Sequence, residues 1–254
     1  MNPGDGHCAW EEMQLAYWDA VAPRYDALYS DRWSRLENQG VVTRLRKLLP
    51  STTEVVLDLG CGTGLGWTLL RQALGREVVY HGIDISPSML EVCRRNVPGA
   101  KLRLGAMTEL SEFDANAFDV VTAFFGAASY GSSALGVLES ATRVVKPGGM
   151  LYLSFFSRFS LRRILHLRTG ELERYRTRHE KKALPPLVRV YTKAQLVGAC
   201  HGTGAFDPCA IEGQGTLAGL CQVPTLWFLS SFLDRHIPTL GHQLEVIGLR
   251  GGER

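Results

Sequence analysis

The sequence predicts an α/β fold: a doubly wound, mostly parallel sheet with helices packed on both faces. Three observations predict it. Short β-like runs alternate with helical ones from residue 53 to 156. The first run, "VVLDLGCGTG" (55–64), stops at an acid and three alternating glycines. The second, "VVYHGIDI" (78–85), leads into Ser86 and Pro87, a good helix start because Ser caps and Pro suits the first helical position.

Each element follows from its local pattern. Residues 8–49 read as an N-terminal helical cap, "EEMQLAYWDAVAPRYDALY" and then "RWSRLENQGVVTRLRKLL", with apolar residues returning at helical spacing. Beyond Pro50 come "EVVLDLG" and a helix from about Leu65, "VVYHGIDI" and its helix, then "LRLGA". "FDVVTAFF" with a helix ending near Lys146, and "GGMLYLSFF", complete a core over 53–156. Residues 157–190 break the rhythm with ten basic residues against three acidic, a net +7 that leaves the rest of the chain at −4. The C-terminal part, 191–254, reads as a helix (Lys193–Cys200), a strand near Phe206–Glu212, an apolar insertion over 214–240 and a last strand, "LEVIGLR". The reading is one domain over 1–254.

Bulk properties bound the function. Hydrophobic content of 45% and charged content of 21% describe a globular protein, and a net charge of +3 does not by itself point to nucleic acid. Six cysteines without any CxxC pair favour free thiols over a disulfide framework or a zinc site, so no metal is expected. The start, "MNPGDGHCAW", has no basic patch before an apolar core, so a cytoplasmic location is expected. The uncharged stretch Gly213–Leu233 is interrupted by Gln214, Gln222 and Pro224, and its apolar part falls short of the roughly 20 residues of a membrane span. No membrane span is expected.

The chemistry concentrates at the glycines. A strict GxGxxG fails, because Leu65 and Trp67 stand where the third glycine belongs. GxxxxGK[ST] is absent as well. What remains is D-x-G-x-G-x-G, a turn low in side-chain bulk where a ligand can lie against backbone. Asp84 ends the next strand twenty residues beyond Gly64, where an acid accepts hydrogen bonds from a ribose diol. A nucleoside is indicated.

With "VLDLGCGTG", "GIDIS", "FDVV" and "VVKPGGMLYL" in this order, the sequence resembles the class I S-adenosylmethionine-dependent methyltransferases, from about residue 17 to 156. The resemblance implies a Rossmann-like sheet of about seven strands with an antiparallel last strand, N-terminal helices and two cap insertions. It implies S-adenosyl-L-methionine as cofactor. Asp58, Gly60, Cys61, Gly62 and Gly64 would hold its methionine part, Asp84 both ribose hydroxyls, and Ile85 would pack on the adenine. Ala106 and Met107 would face the adenine edge, Phe124 would border the methionine arm, and Tyr17, Trp18 and Tyr25 would fold over the cofactor.

The expected acceptor is a small molecule, quinone-like or a secondary metabolite. The fourth strand is followed by "AFFGAAS", without the Asn/Asp-Pro-Pro-aromatic motif of enzymes that methylate adenine amino groups or glutamine amides. Ser129 and Tyr130 are the candidate substrate-side residues. "TLWFLSSFL" offers an apolar wall through Leu226, Trp227, Leu229, Phe232 or Leu233. The basic segment could fork onto an anionic acceptor or present a solvated face; either insertion could instead form a homodimer interface. No general base announces itself: His166, His179, His201, His236 and His242 all read as structural or surface residues. Two alternatives stay open, an RNA methyltransferase using residues 157–190 and a cofactor-binding protein that transfers no methyl group. Phe159 and Tyr175 are few aromatics for stacking bases, so nucleic acid is not the expected partner.

Overall fold

The computed structural model describes residues 3–168, 170–174, 185–204, 206–218 and 220–251. The N-terminal helical stretch is broken where Pro23 interrupts it. Helix α1 (Pro3–Val21) passes through a tight turn at Ala22–Arg24 into the short α2 (Tyr25–Leu28), and α3 (Arg32–Leu48) restarts behind Asp31, whose carboxylate accepts the Ser34 N–H at 3.1 Å. The alternating core follows as β1 (Val55–Leu59), α4 (Leu65–Leu74), β2 (Val79–Asp84), α5 (Pro87–Asn96), β3 (Lys101–Leu104), β4 (Phe118–Ala123), α6 (Ala134–Val144) and β5 (Val145–Ser157). After it come α7 (Leu161–Leu165), β6 (Leu172–Arg174), β7 (Leu187–Tyr191), α8 (Lys193–Gly202), β8 (Phe206–Gln214), α9 (Trp227–His236) and β9 (Gln243–Arg250).

Among the described residues these strands form a nine-stranded sheet in the order β3-β2-β1-β4-β5, with β9 antiparallel to β5 and β8 antiparallel to β9. That is the predicted sheet with its antiparallel last strand. The two additional strands come from the basic segment. Strand β7 pairs with β5 through Phe156↔Val190 and Ser157↔Tyr191, and β6 pairs back onto β7. Since Phe156 already faces Gln243 of β9 on one edge, β7 must take the other, beyond the carboxyl end of β4.

Side-chain alternation sorts the core into two layers. Leu57, Leu59, Val121, Ala123, Leu151, Leu153 and Phe155 join one buried cluster, whereas Val56, Val120, Met150 and Tyr152 join the other. Both faces of the central strands are covered, which explains why those strands read as continuous apolar runs. Among the described residues no helix is long and apolar enough to cross a membrane. Cys61, Cys93 and Cys200 are buried free thiols, and Cys221 is a partly exposed one.

Candidate active site

Beyond the carboxyl ends of β1, β2 and β4 lies a cavity of about 550 Å³. Its floor is the glycine turn. The N–H groups of Gly60 and Cys61 donate to the Ile83 carbonyl at 2.8 and 3.1 Å, so the turn is pinned to the end of β2. Gly60, Gly62 and Gly64 all have φ between 52° and 96°, the left-handed region that glycine enters without a Cβ penalty. Gly66 is needed for a different reason: a Cβ there would stand 2.0 Å from Asp58 Oδ2.

Asp58 is 2% exposed and sits between Gly82 and Thr122 in the strand ladder. The Tyr80 hydroxyl donates to it at 2.6 Å and the Thr122 hydroxyl at 2.8 Å. Burial still pushes its carboxyl up to about 7, against the pull of those two hydrogen bonds. Asp84 is raised to about 6, again by burial, while the N–H groups of Ser86 and Gly62 donate to it at 3.0 and 2.8 Å. Asp84 therefore ties the glycine turn to the start of α5 and still lines the cavity.

The N-terminal segment folds over this floor and is latched to it by two acids. Asp26 accepts from the Thr63 hydroxyl at 2.6 Å and from Asn96 at 3.0 Å. Asp19 accepts from the Ser86 hydroxyl at 2.5 Å and the Ser88 N–H at 3.2 Å. Further along α1, Trp10 and Gln14 both donate to the Tyr130 carbonyl, at 2.7 and 3.0 Å. The Trp18 ring meets Tyr130 edge-on at 5.1 Å, and Tyr130 meets Phe156 at 6.1 Å, forming an aromatic wall. After β4 the chain turns through two successive left-handed residues, Phe125 (φ 53°) and Gly126 (φ 80°), which places a strained aromatic on the cavity wall.

Of the residues the sequence singled out, Trp18, Tyr25, Asp58, Gly60, Cys61, Gly62, Gly64, Asp84, Ile85, Ala106, Met107, Phe124 and Tyr130 line this one cavity. Three do not. Tyr17 is 2% exposed and packs with Val21, Ala22 and Met89 beneath the segment. Ser129 is fully buried, its hydroxyl accepting the Phe156 N–H at 2.7 Å, so it braces β5 instead of facing an acceptor. Trp227 stacks edge-on against Trp33 at 5.3 Å, next to Gly40, which makes it a brace between α9 and α3. Leu226, Leu229, Phe232 and Leu233 do not line the cavity either; the apolar insertion contributes Ala218 and Gln222.

Among the described residues no Lys or Arg lines the cavity. The arginine forks that are one of two readings of the basic segment are spent elsewhere where they are described: Arg163 is buried against Glu173 at 2.6 Å, Arg158 pairs with Glu171 at 2.9 Å, and Arg189 lies over the Trp10 ring. Arg176, Arg178, His179, Lys181 and Lys182 fall outside the described residues. Cavity residues the sequence reading missed include Gln14, Asp26, Glu37, Phe156, His242 and Gln243. Phe156 and His242 were in view, but only as strand and as surface. Among the described residues no group of His, Cys, Asp and Glu is placed to hold a metal.

The chain is similar to known methyltransferases. Residues 56–149 match the family model for a methyltransferase domain. A demethylmenaquinone methyltransferase of Corynebacterium kroppenstedtii is 38% identical over 140 residues, 55% of this chain and 58% of that protein. Another from Chlorobaculum tepidum is 34% identical over 53% of this chain and 56% of its own length. The chain thus spans little more than half the length of the curated relatives it matches. Among solved structures, Micromonospora echinaspora CalS10, an amino pentose methyltransferase with S-adenosylmethionine bound, shares the fold with a TM-score of 0.56 at 19% identity, over 91% of this chain and 96% of that one.

Proposed function

We propose that this protein is an S-adenosylmethionine-dependent methyltransferase acting on a small, flat, quinone-like acceptor. The observation that carries the reading is the cavity's composition. Asp26, Glu37, Asp58 and Asp84 line it, with no Lys or Arg among the described residues, beside a glycine turn and an aromatic wall. That donor set fits a cationic nucleoside: Asp84 for the ribose hydroxyls, the Gly60–Gly64 turn and Asp58 for the cationic methionine end, and Ile85, Ala106 and Met107 for the adenine. Bound there, the cofactor supplies the electrophilic methyl group. The chain's own contribution is alignment and exclusion of water. Orientation alone supplies up to about 7–11 kcal/mol in favourable systems. The latched N-terminal segment covers part of the cavity, and the carboxylates compensate positive charge in a place where burial makes electrostatics strong.

The acceptor class is supported by the two demethylmenaquinone methyltransferases, whose names state a quinone-like substrate. It is also supported by the walls: Trp18, Phe124, Phe125, Tyr130 and Phe156 suit a planar apolar body. The test uses methyl-labelled S-adenosylmethionine with purified protein and fractionated cell extract, with Asp84→Ala as control. Label in the small-molecule fraction, lost in the control, is the expected outcome. Label in RNA or protein instead would overturn the acceptor class, and failure of S-adenosylhomocysteine to bind would overturn the cofactor.

A further inference from the structure

Two carboxamides line the cavity with opposite ends fixed. Gln14 is 1% exposed, and its Nε2 must be the atom facing the Tyr130 carbonyl, because a carbonyl oxygen only accepts. Its Oε1 is left buried with no hydrogen-bond partner among the described residues, in a side chain that lines the cavity. A buried, unmet carbonyl costs free energy in the ligand-free protein and calls for an explanation.

Gln243 is fixed the other way round. The Gly126 N–H donates to Ser154 Oγ at 3.0 Å, and Ser154 Oγ lies 2.9 Å from Gln243 Oε1. A hydroxyl that has accepted from a backbone N–H passes its own hydrogen onward, so Gln243 must present its oxygen to Ser154. The Nε2 amide is then the end left for the cavity that Gln243 lines. A chain of contacts connects the two side chains. Gln14 holds the Tyr130 carbonyl, the Tyr130 ring meets Phe156, and Phe156 sits opposite Gln243 across the β5–β9 ladder.

We infer that Gln14 and Gln243 select the acceptor: Gln14 Oε1 accepts from a hydroxyl of the substrate, and Gln243 Nε2 donates to a second oxygen on the same flat ring system. This deepens the methyltransferase reading and rests on it for the identity of the site. The substrate class it defines is a neutral hydroxy-aromatic with a further carbonyl or ether oxygen. The described lining holds no Lys or Arg for a carboxylate or phosphate, which disfavours carboxylated or phosphorylated relatives of that class.

The test measures binding, not turnover, by isothermal titration of three probes into protein saturated with S-adenosylhomocysteine. 4-Methoxy-1-naphthol carries both groups, 1-naphthol lacks the second oxygen, and 1,4-dimethoxynaphthalene lacks the hydroxyl. The first should bind about tenfold more tightly than either of the others, the factor expected of one well-placed hydrogen bond. Gln14→Met should erase only the hydroxyl preference and Gln243→Met only the second-oxygen preference. Ser154→Ala, which releases the Gln243 amide without entering the cavity wall, should weaken the second preference alone. Equal binding of all three probes to the unaltered protein, or a loss spread evenly over the probes in the variants, would overturn the inference. S-Adenosylhomocysteine affinity, read in the same cell, reports separately on the cofactor site and on whether each variant folds.

Discussion

Asp58 shows how one residue's environment sets a measurable property of the whole chain. Its ladder position between Gly82 and Thr122 buries it, and the hydroxyls of Tyr80 and Thr122 hold it without neutralising it. With the folded carboxyl at about 7 and its ordinary value at 3.8, the folded state keeps this proton to higher pH than the unfolded one does. Stability from this group is therefore highest below the unfolded value and declines as pH rises toward 7. Asp84 acts in the same direction, but only up to about 6. The ligand-free protein should thus lose melting temperature from about pH 4 to 7, and Asp58→Asn should flatten the curve between pH 6 and 7 and reduce the decline below pH 6 to the part that Asp84 supplies. A thermal-shift series from pH 4 to 8 reads this directly; an unchanged slope in the variant would show that the carboxyl titrates normally. A bound cation should depress the same pKa, so S-adenosylhomocysteine affinity, through its amino group, should rise over the same interval and lose that rise in Asp58→Asn.

At the scale of elements, what matters is how the N-terminal segment is attached. It carries Gln14, Trp18 and Tyr25 onto the cavity, and besides the Tyr17 cluster the carboxylates of Asp19 and Asp26 link it to the glycine turn and α5. Each accepts two hydrogen bonds, and a hydrogen bond contributes about 1 kcal/mol net. Replacing both acids with Ala should speed amide exchange over residues 10–29 by at least about tenfold while β1 and β4 keep their protection. Exchange unchanged across that segment would mean that apolar packing holds it down unaided. The segment also shows what a sequence reveals and what it hides. Its helices were legible from apolar spacing, and the floor of the site from Asp58, the glycines and Asp84, because strand, turn and acid lie close together in the chain. The latch was not legible: Asp26 meets residues 37 and 70 positions away, and Gln14 meets Tyr130 across 116. Strand β6 was hidden for a different reason. "LER" is partly exposed, has no alternation to read, and becomes a strand only because β7 offers it an edge. Trp227 misled because an aromatic in an apolar run fits a ligand wall and a helix brace equally well, and only the position of Trp33 decides between them.

Across the whole molecule, the two ends of the chain are joined through a buried charge. Arg44 of α3 pairs with Glu245 of β9 at 3.1 Å, and Tyr152 of β5 donates its hydroxyl to the same carboxylate. Glu245 is 1% exposed, and burial raises its pKa even though Arg44 opposes the shift. This contact joins the helical segment that covers one face of the sheet to the last strand, whose first residue, Gln243, lines the cavity. A buried pair of this kind is worth little relative to an apolar replacement, but removing one partner strands the other. Arg44→Met should therefore destabilise the protein by about 3–5 kcal/mol in urea unfolding at pH 8. The deficit should shrink toward pH 5, because the orphaned Glu245, its folded pKa driven still higher, takes up a proton there and ceases to be a buried charge. Adding Glu245→Gln should recover much of the loss at pH 8 and little at pH 5. A deficit that stays the same at both pH values, with no rescue by the second change, would place the cost in lost packing of the Arg44 stem, and the link between the first and last parts of the chain would then be apolar.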